Sequence, residues 1–232
     1  MISDNLRRIE DRIARAAERS CRQAADIKLV AVSKFQTPAA IGEAIESGLS
    51  DFGENYPQEL WAKAAAFPDA GINWHLIGHL QRNKIGKTLP VVNSIQSVDS
   101  ERLLKTLNQT AQKLKVVIPV LLEVNINAES SKTGFARSDV LPLGELLNHL
   151  PNVRVNGLMT IAALNAPPPD CHKTFSALRE LRDKLRAAWG AEFPLPELSM
   201  GMSGDFEIAI SEGATVVRIG SGIFGDRKQK PH

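Results

Sequence analysis

The chain has 232 residues, 28 of them basic and 26 acidic, for a formal net charge of +2. That near-balance is spread along the sequence and leaves no basic stripe to neutralise nucleic-acid phosphates, so nucleic acid is not an expected partner. Its 2 cysteines, Cys21 and Cys171, lie far apart without CxxC spacing, which argues against a disulfide framework and a zinc knuckle and for a reducing, cytoplasmic setting.

In chain order, residues 2 to 24 place Ile2, Leu6, Ile9 and Ile13 on one face of an amphipathic opening helix. The same stretch is charged throughout and lacks the apolar core of a signal peptide, and no later run approaches the roughly 18 apolar residues of a membrane span. A soluble protein without membrane contact is expected. Short apolar runs then recur at 29–32 (LVAV), 51–52 (DF), 72–77 (INWHLI), 91–95 (VVNSI), 117–126 (VIPVLLEVNI), 153–159 (VRVNGLM), 196–200 (PELSM) and 215–219 (TVVRI), each resembling a buried strand. Helical patterns separate nearly all of them, at 38–48, 100–114, 138–150 and 170–189. The three prolines at 167–169 sit in a loop-sized interruption and do not divide the chain.

Strand and helix alternating about eight times predicts a parallel sheet covered by helices, and the count favours closure into a (β/α)8 TIM barrel. A doubly wound open sheet is the alternative. The expected organisation is a single domain over residues 1–232 with an extra N-terminal helix. No strongly apolar surface pattern stands out, so a monomer is expected.

Two motifs have weaker claims than their spelling suggests. GSGIFG at 220–225 matches GxGxxG, but the dinucleotide fingerprint needs a helix, a further strand and an acidic residue beyond it. His75 and His79 in HLIGH are four apart like helical zinc ligands, yet no Glu follows the first and Gly78 follows an apparent strand, so no metal site is expected. His75 is read as a packed or hydrogen-bonded residue near a strand end. Cys171 and Ser199 have no surrounding motif that pairs a nucleophile with a base.

The informative segment is LSMGMSGDFEIAISEGATVVRIGSGIFG at 198–225, where two apparent strand ends run into glycine- and serine-rich loops. Ser203 precedes a helix-like pattern, and Gly220 and Ser221 follow the last strand. If these are strands seven and eight of a barrel, their loops occupy the place where barrels frequently bind phosphate; tight turns capped by glycine and serine are the plainer alternative. Strand alternation puts Arg218 on the face of Val216 and Gly220. Beside a phosphate it could face the ring nitrogen of a bound cofactor, although an arginine at a strand end is ordinarily a surface or ion-pair residue. Lys34 closes the first strand, KLVAVSK, and so stands at the same C-terminal mouth. A neutral amine there can form a Schiff base, whereas an isolated lysine would be read as a rim residue with its stem on apolar surface.

With these residues in place, the sequence resembles the pyridoxal phosphate homeostasis protein family, whose fold is similar to the N-terminal barrel of alanine racemases. The resemblance covers nearly the whole chain and rests on LVAVSK (29–34), DFGENYPQE (51–59), WHLIGHLQRNK (74–84), IQSVDS (95–100), EVNINAESSKTGF (123–135), GLMTIAA (157–163) and the segment 198–225. It implies that Lys34 holds pyridoxal 5'-phosphate (PLP) as a covalent aldimine, with Ser203, Gly220 and Ser221 at the phosphate and Arg218 at the ring nitrogen. Asn55 is implied as a lesser candidate for the ring face or its hydroxyl. The chain departs from the family's pattern in FQTP after Lys34, in Gly204, and in the tail DRKQKPH, which is expected to be unstructured.

The family also implies binding, storage and delivery of PLP to other enzymes, with apo-PLP enzymes as recipients, and no established catalytic turnover. Two other readings use the same residues: a PLP-dependent racemase or lyase with a minimal site, and a class I aldolase-like barrel in which Lys34 attacks a sugar phosphate. A full racemase is disfavoured, because the pattern ends at the eighth strand and the chain has 1 tyrosine, Tyr56, to offer as an acid or base. An arginine at the ring nitrogen also disfavours the protonated ring that withdraws electrons best.

Overall fold

The barrel strands are 3 to 8 residues long, with helical segments between them. The computed structural model describes residues 1–129 and 132–225, so the tail from 226 to 232 lies outside the described residues. After helix α1 (Ile2–Arg19) the barrel strands are β1 (Lys28–Val32), β2 (Asp51–Glu54), β3 (Asn73–Leu76), β4 (Ser94–Val98), β5 (Ile118–Asn125), β6 (Val153–Met159), β7 (Glu197–Ser199) and β8 (Val216–Ile219), with a two-residue strand, Phe135–Ala136, pairing with the end of β5. The helices between them are α2 (Pro38–Glu46), α3 (Pro57–Ala66), α4 (Ile85–Thr88), α5 (Glu101–Leu114), α6 (Arg137–Val140), α7 (Leu143–Leu147), α8 (Pro168–Trp189) and α9 (Phe206–Ser211), with α10 (Ser221–Phe224) after β8. Each strand pairs in parallel with its sequence neighbours, and β8 pairs with β1 to close the ring, as a (β/α)8 barrel requires.

Local chemistry explains the helix starts. Thr37 caps α2 by accepting the Ala40 N–H at 3.3 Å, with Pro38 as the first helical residue. Ser100 caps α5 in the same way. Two of the prolines at 167–169 form the first turn of α8, whose missing N–H groups cost a helix start nothing. The segment 138–150 breaks into α6 and α7 around Pro142 instead of forming one helix. The opening helix stops at Arg19, before residue 24, because the chain turns at Cys21 with a left-handed φ of 54°.

Helix α1 completes the outer layer. Because α10 is a single turn, α1 covers the place of a full-length eighth helix, packing on α9, α10 and α2. Ile2, Leu6, Ile9 and Ile13 are all buried in that contact. Polar ties fix its angle: Asn5 Nδ2 donates to the Ile223 carbonyl at 2.9 Å, and Arg12 pairs with Glu207 at 3.1 Å.

Candidate functional site

Alternation along the strands sorts which side chains enter the barrel. Gly53, Val30 and Arg218 face inward: a Cβ on Gly53 would lie 2.9 Å from Val30 Cγ1, and Val30 pairs in register with Arg218. Ser199 Oγ on β7 donates across the barrel to Gln96 Oε1 on β4 at 2.7 Å. Arg218 Nη1 donates to the same Ser199 Oγ at 2.6 Å, and Nη2 to the Thr160 carbonyl at 2.9 Å. The guanidinium is thus held flat in the wall by neutral acceptors. Burial pulls its pKa down to about 10, while the negative charges of Asp205 and Glu123 work in the other direction.

A cavity of about 610 Å³ opens at the C-terminal mouth above this arginine. Lys34, Ser203, Arg218, Gly220 and Ser221 all line it, together with Val32, Asp205 and Cys171. Five of the six residues singled out in the sequence are therefore brought to one cavity. Asn55 is not among its lining residues. It follows β2 with its backbone packed under Gly78, where a Cβ would come within 2.3 Å of the Asn55 carbonyl oxygen, and its Oδ1 is buried with no partner among the described residues.

The two glycine-rich loops are tied to each other, since Gly222 N–H donates to Ser203 Oγ at 3.3 Å. Asp205 Oδ1 accepts the Met202 N–H at 2.5 Å and so folds the first loop back on itself. Gly201 is required beneath it: its φ is +92°, and a Cβ would lie 2.6 Å from Ala209 Cβ. Among the described residues, no hydrogen bond engages the backbone N–H of Ser203, Gly204 or Gly220. A cavity rim with unengaged N–H donors, a serine hydroxyl and a nearby guanidinium is chemically suited to an anion. Burial raises the carboxyl of Asp205 above the ordinary aspartate range against the pull of the Met202 N–H and Arg218. Burial likewise raises the Cys171 thiol, which disfavours a thiolate nucleophile there.

The two histidines of HLIGH go to different places. His75 is buried between Asp51 and Ser94, whereas His79 is exposed beside Asp99 at 3.3 Å. Ser199, unassigned in the sequence, belongs to the chain that holds Arg218. The signal for it was present in SIQSV, where polar Ser94 and Gln96 alternate as inward residues do. The strand spans Ser94–Val98 and so starts three residues after the apolar run VVNSI at 91–95 predicts.

Residues 5–228 match the family described as the alanine racemase N-terminal domain. The chain is 43% identical over 225 residues to the pyridoxal phosphate homeostasis protein of Aquifex aeolicus, covering 97% of this chain and 98% of that one. It is 42% identical to the protein of the same name from Pseudomonas aeruginosa, over 97% and 96% of the two chains. Among solved structures, PipY of Synechococcus elongatus with PLP bound superposes with a TM-score of 0.84 at 34% identity, covering 97% of this chain and 100% of that one. Closed parallel barrel, matched family and near full-length relatives agree: the chain belongs to the pyridoxal phosphate homeostasis proteins, within the alanine racemase N-terminal domain family.

Proposed function

We propose that this protein binds PLP in the cavity at the C-terminal mouth and serves intracellular PLP homeostasis by binding, storing and delivering it. The observation that carries this reading is the convergence of Lys34, the buried Arg218 and two loops with unengaged N–H groups on one cavity of about 610 Å³. That volume suits a small ligand. When bound, PLP supplies an aldehyde for an amine and a phosphate for anion donors.

Lys34 is assigned as the covalent anchor through Nζ. Ser203, Gly220 and Ser221 take the phosphate with their N–H groups and the serine hydroxyls, and Arg218 faces the ring nitrogen. Because Arg218 is fixed from behind by Ser199 and Thr160, it presents a rigid donor edge without having to be ordered on binding. Asn55 Oδ1, buried with no partner among the described residues, is a candidate acceptor for the ring hydroxyl and ranks after the others because it does not line the cavity. The residues 1–232 act as one cofactor-binding domain, as a monomer in the cytoplasm, with apo-PLP enzymes as recipients. Among the described residues no helix is long and apolar enough to cross a membrane, which is compatible with that location.

The names of the curated relatives describe homeostasis and not a catalysed reaction, which supports binding without turnover. The purified protein is expected to be yellow, or to become so with PLP, and borohydride is expected to bleach the band and label Lys34. Lys34→Ala should lose the label and keep its fold, since removing a rim side chain leaves no core cavity. A protein that stays colourless with added PLP would sink the reading. Screening amino acids for α-proton exchange at saturating PLP tests the absence of turnover, and rapid exchange on any of them would overturn it. A titration of PLP transfer to an apo-enzyme, run with a small-molecule trap, distinguishes delivery by contact from release into solution.

A further inference from the structure

Behind the strand end that carries Lys34, between the barrel wall and α3, lies a cluster of charge that the cavity does not use. Glu54 on β2 is 0% exposed and Lys63 on α3 is 7% exposed. Lys63 Nζ donates to the Ser33 carbonyl at 2.7 Å, to Glu54 Oε1 at 2.6 Å and to Glu59 Oε2 at 3.1 Å. An ammonium has three donors, so all of them are engaged inside the protein. Ser33 Oγ donates to Glu54 Oε1 at 2.6 Å, and the Phe35 N–H donates to Glu59 Oε2 at 2.9 Å.

Both chain neighbours of Lys34 are therefore pinned to one cluster: Ser33 by its carbonyl and hydroxyl, Phe35 by its amide. Phe35 also has a left-handed φ of 64°, which a bulky residue keeps only where its surroundings impose it. Fold stability alone is a weak explanation for the cluster. Desolvation of a buried ion pair offsets most of its attraction, and apolar residues of similar volume would serve the core as well. Burial raises the Glu54 carboxyl above the ordinary glutamate range despite its bonds to Lys63 and Ser33, and its Oε2 has no partner among the described residues.

We infer that Lys63, Glu54 and Glu59 form a positioning clamp that fixes the peptide groups on both sides of Lys34, so that its amine leaves the strand end toward the cavity in one orientation. This rests on the reading of Lys34 as the PLP anchor. Lys63 is thus a positioning residue that holds the loop from behind and touches no cofactor atom. The clamp limits the angle at which the amine meets an aldehyde and raises the fraction of encounters that lead to attachment.

The test is the rate of attachment of PLP, followed by visible absorbance and by borohydride labelling with peptide mapping. Glu59→Ala removes the acceptor of the Phe35 N–H and is expected to slow attachment about tenfold or more. Glu59→Gln keeps an acceptor oxygen and is expected to recover most of the wild-type rate. The double variant Glu54→Gln/Lys63→Met removes the Lys63 hold on the Ser33 carbonyl without stranding a buried charge, and is expected to slow attachment as well. Leu104→Ala, in the core on α5 and away from the site, controls for general destabilisation and should attach PLP at the wild-type rate. Wild-type attachment in both Glu59→Ala and the double variant would overturn the clamp, as would equal slowing in Glu59→Gln or in Leu104→Ala. Should the double variant fail to fold, Glu59, partly exposed on α3, decides the matter alone. Failure of the anchor reading looks different: label would then be missing from the wild type or persist in Lys34→Ala.

Discussion

The two ends of the barrel interior settle their polar groups in different ways. Toward the N-terminal end, His75 Nε2 lies 2.8 Å from Asp51 Oδ1 and Nδ1 lies 2.7 Å from Ser94 Oγ, so both ring nitrogens are engaged. Serine, histidine and aspartate in contact invite a hydrolase reading. The geometry argues against it, because the carboxylate sits on Nε2 and the serine on Nδ1, the reverse of the catalytic arrangement, at the end opposite to where barrels carry their chemistry. Toward the C-terminal end, the chain Arg218–Ser199–Gln96 does not close. Gln96 Nε2 is buried without a partner among the described residues, and Arg218 is met by neutral acceptors only. A polar group satisfied within the protein serves the fold, whereas one held rigid at the wall of a cavity is available to a ligand.

The largest expected effect that separates the two ends comes from Arg218→Ala. Loss of a charge-assisted contact to the ring should weaken PLP retention about tenfold or more, measured by equilibrium dialysis. Thermal stability should change far less, because the substitution also removes a buried cation whose desolvation is unfavourable. An unchanged dissociation constant would show that Arg218 faces elsewhere and would break the contrast.

His75→Leu tests the opposite end. It leaves the Asp51 carboxylate and the Ser94 hydroxyl without their partner, which is expected to cost roughly 2 kcal/mol in denaturant unfolding. PLP uptake should be unchanged in rate and extent. Impaired uptake in a variant that is still folded would mean that the two ends are coupled.

How much of this was legible in the sequence follows the same division. Lys34, Arg218, Gly220 and Ser221 could be placed because strand alternation and the barrel's C-terminal rim fix where a strand-end residue goes. The closed network at the other end could not, since Asp51, His75 and Ser94 come from three strands whose register no local pattern reveals. The clamp behind Lys34 was hidden for another reason. Glu59 and Lys63 are spaced i, i+4 on a helix, which reads as an ordinary solvent-facing ion pair, and only the fold shows that Lys63 is turned inward onto Ser33 and Glu54. Polar residues inside the barrel likewise moved the reading of β4, because an apolar run is the wrong template for a strand whose inward positions are Ser94 and Gln96.

The smallest effect is the pH dependence of stability, where the two ends should differ in sign. Burial would raise the Asp51 carboxyl, but the His75 hydrogen bond and charge outweigh it and hold it below the ordinary value of 3.8. A depressed carboxyl contributes stability above its unfolded pKa and loses it as pH falls through the folded one. The stability lost in Asp51→Asn at neutral pH should therefore shrink below about pH 3.9. Glu123 near the other mouth is raised above 4.5, by burial first and by the Asp99 charge, against the hydrogen bond from Thr133. Its contribution is present below the unfolded value and lost as pH rises through the folded one, so Glu123→Gln should gain on the wild type between about pH 4.5 and neutrality. Each difference should stay within about 1 kcal/mol, because neither group is sealed from water. Denaturant midpoints of the wild type and both variants across pH 3 to 7 would show the opposed slopes; parallel curves would mean that the ends do not differ in how their acids are held.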